Sequence, residues 1–545
     1  MKYRIDVVLA WVAAFTFFGA EAKQEITIDG EINALEWQDA QVFEEYIQSF
    51  PNTGEKPSYS TKTYLASDNE GIYVAFENYQ PERSRKYSGH DQFTSADFNM
   101  VFIDFNNDGD TAYEFVATLG GGTMDGTYSR GNQSSRDWDG DWQVRVSEKG
   151  DYWYSEFFIP WTTGTYQSTE QDKREIGVYF QRFNVVASQS YSYPDTSRGR
   201  KNFTYEFATV TVDSAKGQNI RPQAYVTNTY DALESKNDTN AGLDFTWKPA
   251  ANQQLSATVN PDFGQVESDE LIVNYTAVET LRTDKRPFFT VNQSLFDVQG
   301  PNSLKLVNTR RIGANAENTP KELHDIEAAV KYVFNGDKAN AGLLLAKEGD
   351  VLSDQGKDFA SLRWYSNLDK LSFGQLVNYV SNPGLDRSSI VVNHDVSYRI
   401  NDKFNISSNV LYSQNKVAQE SQDGVGATFK SSFVPVRNWE NNLEWTYLDK
   451  KLDVNDLGYM QRNNISTVKM NSKYGYHQFA TNSPISRTQV YGEYHYQRNL
   501  TGSTLRDNLY LSYVVQLKSK DVFRVGTDHT FAGKDDLLTR QLDVV

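Results

Sequence analysis

The sequence predicts an all-β protein, a β-sandwich followed by an antiparallel transmembrane β-barrel of about 16 strands, and three observations predict it. Short alternating runs bounded by turns fill the first 215 residues, at the spacing of sandwich strands. Segments of about ten residues then follow in close succession, the length of a tilted membrane strand. Aromatic residues reach 14% while the mean hydropathy stays at -0.62, a combination that suits strands with one wet and one apolar face.

The first residues read as an export signal. Lys2 and Arg4 precede an apolar run from Val7 to Phe18, and Ala20 and Ala22 supply a cleavage site, so residues 1–22 are assigned to a signal peptide. That run is too short to span a bilayer, which takes roughly 20 apolar residues, and no later window approaches this length. Any insertion must therefore use strands. A chain of this length exceeds one core, and a composition shift near Ala215 separates a domain at 23–215 from one at 216–545. The sequence has no cysteine, which excludes disulfides, thiolate metal sites and a thiol nucleophile. A net charge of -17 repels phosphate backbones and argues against nucleic acid as a partner.

In the first domain strands are expected at Glu25 to Ile28, Thr63 to Ala66, Ile72 to Glu77, Asn99 to Phe105, Tyr113 to Thr118, Gln143 to Val146, Tyr152 to Ile159, Gly177 to Asn184 and Tyr205 to Val212. Asp104, Asn106, Asp108 and Asp110 put oxygen ligands at alternate positions of a turn, as calcium requires; the alternative is a solvated Asx-rich hairpin turn. A structural calcium ion is the one cofactor expected. Trp138 and Trp142 stand among Asp137, Asp139 and Asp141, a pattern that suits stacking on sugar rings. Because Trp142 begins a strand and should be core, Trp138 is the aromatic expected at the surface.

Across this region Ile28-Asp29-Gly30-Glu31, Glu36-Trp37, Ser67 to Val74, Val101-Phe102-Ile103-Asp104 and Phe158-Ile159-Pro160-Trp161 resemble the family 9 carbohydrate-binding modules. The resemblance implies a sandwich that binds sugar and carries structural calcium. Such modules grip sugar between two tryptophans, whereas the matching neighbourhoods here read His90-Asp91-Gln92-Phe93-Thr94 and Ser192-Tyr193-Pro194-Asp195. Trp138, Phe93, Tyr193 and Asp97 are accordingly the candidate carbohydrate-binding residues.

In the second domain Leu243, Phe245 and Trp247 alternate with polar residues, as do Val392, Val396, Tyr398 and Ile400, and Leu509, Leu511, Tyr513 and Val515. Tight connectors at Pro249 to Asn252, Asn335 to Lys338, Asn401 to Lys403 and Lys518 to Lys520 alternate with long ones at Asp231 to Ala241, Gly313 to His324, Glu348 to Lys357, Ser413 to Gly424 and Arg498 to Arg506. Short periplasmic turns and long outer loops give this pattern. The alternation breaks at Asn260 to Gly300, which must return to the periplasmic side as an added strand at Glu270 to Tyr275 or as a plug in the lumen. Its charges, Asp262, Glu267, Lys285 and Arg286 among them, suit a lumen, and residues 261–300 are expected to form the plug. By the same count the strand Val522 to Phe531 has no return, so a closing strand is expected to be missing before Val545.

Asn260-Pro261-Asp262-Phe263, Gln265-Val266-Glu267, Asp284 to Phe289, Arg310-Arg311-Ile312-Gly313 and Leu457 to Arg462 resemble the motifs of a bacterial outer-membrane β-barrel family of unknown function, the domain of unknown function 5916 type. That resemblance implies a module of the carbohydrate-binding family 9 type joined to a barrel in the outer membrane of a Gram-negative bacterium, with the first domain periplasmic. Its expected partners are a saccharide or glycan ligand, outer-membrane lipid and the barrel assembly machinery.

No catalytic residue is nominated. The six histidines fall at no metal-binding spacing, and no nucleophile elbow or phosphate loop occurs. If there is an activity, the class left open is hydrolysis of glycosidic bonds by paired carboxylates, which 71 acidic residues do not exclude. The function expected is glycan binding linked to uptake or surface retention. The alternatives are a non-catalytic gate or scaffold of an export or assembly barrel, and a glycoside hydrolase-associated protein of carbohydrate catabolism.

Overall fold

The computed structural model describes residues 25–544, apart from 130–132, 137, 168, 170, 201, 215–218, 232–235, 262–280, 282–283, 299–303, 315–323, 337, 352–353, 369, 402, 437, 481, 520 and 535–536. The expected signal peptide lies outside the described residues, as do Asp262, Glu267 and the segment Glu270 to Tyr275.

Two sheets build the first part. One has the order β1 (Gln41–Phe43), β3 (Thr61–Ser67), β4 (Gly71–Tyr79), β10 (Tyr152–Pro160) and β9 (Gln143–Lys149). The other runs β2 (Ile47–Phe50), β12 (Gln189–Tyr193), β11 (Lys173–Asn184), β5 (Phe98–Asp104), β6 (Thr111–Thr118), β7 (Thr123–Ser129) and β8 (Gln133–Ser135), with β13 (Ala208–Asp213) also on β11. Leu65, Val74, Phe76, Val101, Ile103, Phe115, Phe157 and Phe180 fill the space between them. Each sheet is also covered on its far side. Trp37 closes one with Ile26 and Ile28, so Glu25 to Ile28 is a covering segment where a strand was expected. Phe203 and Phe207 close the other against Phe98, Phe102 and Tyr179. Burial on both faces explains why β5 carries apolar side chains at successive positions.

Arg182 stitches the sandwich sheets together. It is fully buried and donates to Ser60 O, Thr61 Oγ1, Tyr79 O and Gln80 Oε1 at 2.7 to 2.9 Å, and burial lowers its pKa to about 10.

The second part is one sheet of 16 antiparallel strands, each paired with its chain neighbour. Its strands are β14 (Asn219–Asp231), β15 (Lys236–Ala250), β16 (Gln253–Val259), β17 (Ile326–Asn335), β18 (Ala339–Glu348), β19 (Asp358–Leu368), β20 (Leu371–Asn382) and β21 (Arg387–Asn401), then β22 (Phe404–Val417), β23 (Glu420–Phe433), β24 (Trp439–Leu448), β25 (Ile465–Tyr476), β26 (Ile485–Asn499), β27 (Thr504–Leu517), β28 (Val522–Lys534) and β29 (Leu537–Val544). Among the described residues no ladder joins β29 to β14.

Its burial is inside out. Ser361, Arg363, Asn378, Asn393, Ser413, Thr428 and Thr446 are buried on the inner face, while Leu362, Trp364, Val396, Tyr398, Val410, Trp445, Val490, Leu511 and Tyr513 are exposed on the outer face. Water would penalise so long an apolar band, and a bilayer removes the penalty; this is the face pattern of a membrane barrel. Among the described residues no helix is long and apolar enough to cross a membrane.

Two strand expectations are corrected. β29 pairs with β28 and supplies the return that the connector count lacked. The connectors expected at Ser413 to Gly424 and Arg498 to Arg506 are largely strand, because β22, β23, β26 and β27 continue to Val417, from Glu420, to Asn499 and from Thr504. Beyond the bilayer both faces of a strand meet water, the apolar alternation stops, and the ends read as loop.

Candidate functional site

The described part of the segment between β16 and β17 lies against the sheet. These strands pair directly with one another. Residues 284–298 and 304–314 pack against the sheet's inner face. Phe289, Phe296, Leu304, Leu306 and Ile312 share a core with Val333, Leu344, Phe359, Leu376 and Val380 of the strands and with Leu452, Val454 and Leu457 of the β24–β25 loop. The path descends to Asn292, whose side chain meets Thr165 of the sandwich at 3.1 Å, and climbs back to an antiparallel bridge between Lys305 and Tyr459.

The signature segments clamp one another. Arg286 forks onto Asp284 at 2.6 to 3.2 Å and donates onward to Ile312 O and Thr309 O, while Thr309 Oγ1 donates to Asp284. Asn308 N donates to Leu457 O, and Arg311 Nε to Gly458 O at 3.1 Å. A Cβ on Gly458 would stand 2.6 Å from Val454 O and 2.7 Å from Lys305 O, so glycine is needed for the close approach. Of the expected plug residues, Arg286 is thus a structural lock, and Lys285 adjoins it.

The sandwich docks on the end of the sheet that carries the tight turns. Lys248 donates to Thr162 O and Gly164 O, Asn335 to Thr165, and Tyr365 Oη to Asp110 Oδ1 at 3.2 Å. Arg399 lies 4.8 Å from the Tyr205 ring, Arg487 lies 5.6 Å from the Phe50 ring, and Asn52 bonds Asn438. These contacts run around the mouth from β15 to β26.

Between the two parts lies a cleft of about 850 Å³. The sandwich contributes Phe93, Phe183, Arg198, Arg200 and Glu206; the barrel contributes Phe404, Glu440, Lys473, Arg487 and Gln489. Lys473 and Gln489 sit on the inner faces of β25 and β26, in line with Lys469, Asn471, Tyr491 and Glu493, which are part exposed. The described residues of the segment between β16 and β17 pack mainly against β17 to β22.

Of the four expected carbohydrate-binding residues, the structure brings one to this cleft. Phe93 is 76% exposed on its wall. Trp138 is corrected: it is 3% exposed, packed edge-on against Tyr113 and Phe115, because its indole fills the open end of the sandwich core. Asp97 is also corrected, being fully buried and consumed by Ser84 N, Val185 N and Gln80 Nε2 at 2.6 to 2.8 Å. Tyr193 is half-buried against Phe43.

The residues of the acidic turn are held by hydrogen bonds. Asp104 accepts from the amides of Asn106, Asn107 and Gly109, Asn106 Oδ1 accepts from Gln167 N, and Asp108 Oδ1 accepts from Asp110 N. Asp104 and Asp108 are thus engaged by the turn's own amides, whereas Asn106 and Asp110 meet Gln167 and Tyr365 from elsewhere in the chain. Burial raises the pKa of Asp104 and Asp108 above the ordinary carboxylate range, with their mutual repulsion added for Asp104. Its place facing the barrel mouth, where Asp110 meets Tyr365, was not legible in the sequence.

Sequence spacing also missed a cluster on the sandwich. Among the described residues, His90, Asp91 and Asp125 are the group of histidine and acidic side chains whose ligand atoms converge, within 4.8 Å of one another. A hydrogen bond with Asp139 pushes His90 up to about 9, and burial pushes Asp125 up to about 7.

The family model described as Domain of unknown function (DUF5916) matches residues 220–342 and 375–543, more than half of the chain. Among solved structures, a carbohydrate binding module family 9 from Caldicellulosiruptor kristjanssonii in complex with cellotriose is similar at 15% identity and a TM-score of 0.26, covering 36% of this chain and 92% of that one. An anion-selective porin from Comamonas acidovorans is similar at 10% identity and a TM-score of 0.29, covering 80% and 97%. OpdQ of Pseudomonas aeruginosa follows at 8% and 0.27, covering 82% and 96%. At these scores none of them bears on what this chain does. No curated protein matches.

Proposed function

The chain belongs to the DUF5916 family, and from that premise we propose that it is an outer-membrane barrel protein that binds saccharide at the mouth of its lumen, for uptake or surface retention. The observation that carries this reading is the cleft of about 850 Å³ between the sandwich and the barrel. Its volume suits a short oligosaccharide. Phe93 and Phe404 offer ring faces to the apolar side of a sugar, and Arg198, Arg200, Glu206, Glu440, Lys473 and Gln489 offer donors and acceptors to hydroxyls. The tight-turn end, where the sandwich docks, is assigned to the periplasm. The chain's own residues would thus hold a saccharide where the polar side of the lumen opens.

A glycan array probed with the full-length protein in lipid nanodiscs tests the proposal. Saturable binding to at least one glycan is expected, weakened about tenfold or more by Phe93→Ala. A folded protein that binds no glycan, or a Phe93→Ala variant that binds as wild type, would reject it. The second reading, a gate or scaffold without a sugar ligand, is favoured by the plug and would gain from that negative result.

A further inference from the structure

We infer that His90, Asp91 and Asp125 form a binding site for a divalent first-row transition metal, zinc in the first instance, at the edge of the sandwich. Three chain segments supply it: the β4–β5 loop gives His90 and Asp91, β7 gives Asp125, and the β8–β9 loop brings Asp139 to 3.3 Å from His90 Nε2. One ligand atom from each of the first three residues lies within 4.8 Å of the others, a spacing that a cation at about 2.0 to 2.2 Å from each can bridge.

A second observation points the same way. Asp125 is fully buried, its Oδ2 accepts from Gly140 N at 3.0 Å and from Trp142 Nε1 at 2.8 Å, and its Oδ1 has no hydrogen-bond partner. A buried carboxylate oxygen without a donor is costly, and it belongs to a carboxylate that converges with a histidine and a second carboxylate. Asp91 Oδ1 is in the same condition. The imidazole is held between the two sides of the cluster: Nδ1 lies 3.0 Å from Thr123 Oγ1, and Nε2 faces the carboxylates, 3.3 Å from Asp139 and 3.7 Å from Asp91.

One imidazole with two or three carboxylates is an N,O set of the kind that zinc and its neighbours take, and an imidazole ligand disfavours calcium. Bound there, the ion would pin the loop that carries Phe93 to β7. The inference stands apart from the saccharide reading, since it requires no ligand in the cleft.

The test is calorimetric titration of zinc, and separately of calcium, into chelator-stripped full-length protein in detergent. Saturable zinc binding is expected, at least tenfold weaker in His90→Gln and in Asp125→Asn, with calcium weaker than zinc in the wild type. Asparagine keeps the acceptor for Gly140 and Trp142, and His90 stands on a part-exposed loop, so if one variant misfolds the other still decides. Absence of saturable zinc binding by the folded wild type, equal zinc affinity in a folded variant, or preference for calcium would overturn the inference.

Discussion

Two aromatic residues of the sandwich carry opposite expectations. Trp138→Ala empties a core position and is expected to cost about 3 to 5 kcal/mol of stability, read by thermal or denaturant unfolding. Phe93→Ala removes an exposed ring, so stability should change by about 0.5 kcal/mol or less while saccharide affinity falls. If Trp138→Ala unfolded as wild type, the indole would not be core. A buried carboxyl gives a pH test. Burial pushes Glu156 up to about 7 from its ordinary 4.5, although Asp29 N, Gly30 N and the Trp37 indole all donate to it, and Asp29 is its charged neighbour. A folded-state pKa above the unfolded value means that its contribution is complete below about 4.5 and is lost as pH rises through about 7. Sandwich stability should therefore decline across that window, and Glu156→Gln should flatten the decline; an unchanged slope would refute the assignment.

At the scale of elements, the plug is held by the Asp284–Arg286 fork and its bonds to Thr309 and Ile312. Arg286→Ala leaves Asp284 buried with only Thr309 as a side-chain donor, and is expected to cost about 3 kcal/mol and to loosen the plug. In planar bilayers this should appear as larger or noisier current than wild type; identical traces would mean that the fork does not hold the plug. That a separate segment interrupts the strands was legible, because its motifs are charged and stand where strand parity fails. Its packing was not: Leu304, Leu306 and Leu457 meet only through the fold, across about 150 residues of chain. The barrel strands were legible through their period of two, except where both faces meet water and the alternation stops. Trp138 was misplaced because it stands in the loop before β9, and only the fold brings its indole onto Tyr113 and Phe115; Asp97 was misplaced because its partners, Gln80, Ser84 and Val185, come from other segments. His90, Asp91 and Asp125 come from separate segments, and no spacing rule would join them.

For the whole molecule, the sandwich meets the barrel around the mouth, with Asp110, Tyr205, Phe50 and Thr165 on one side and Tyr365, Arg399, Arg487 and Asn335 on the other. The cleft exists only between them, so the isolated sandwich should bind saccharide more weakly than the full chain. The central claim is that this mouth is both the binding site and the entrance to the lumen. Ion current through the full-length protein in a planar bilayer, recorded while an array-selected saccharide is added on the sandwich side, tests it most directly. A steady current that the saccharide reduces is expected, with a weaker block in Phe93→Ala; a folded, heat-modifiable barrel that passes no current, or a current indifferent to a saccharide that binds, would overturn the proposal.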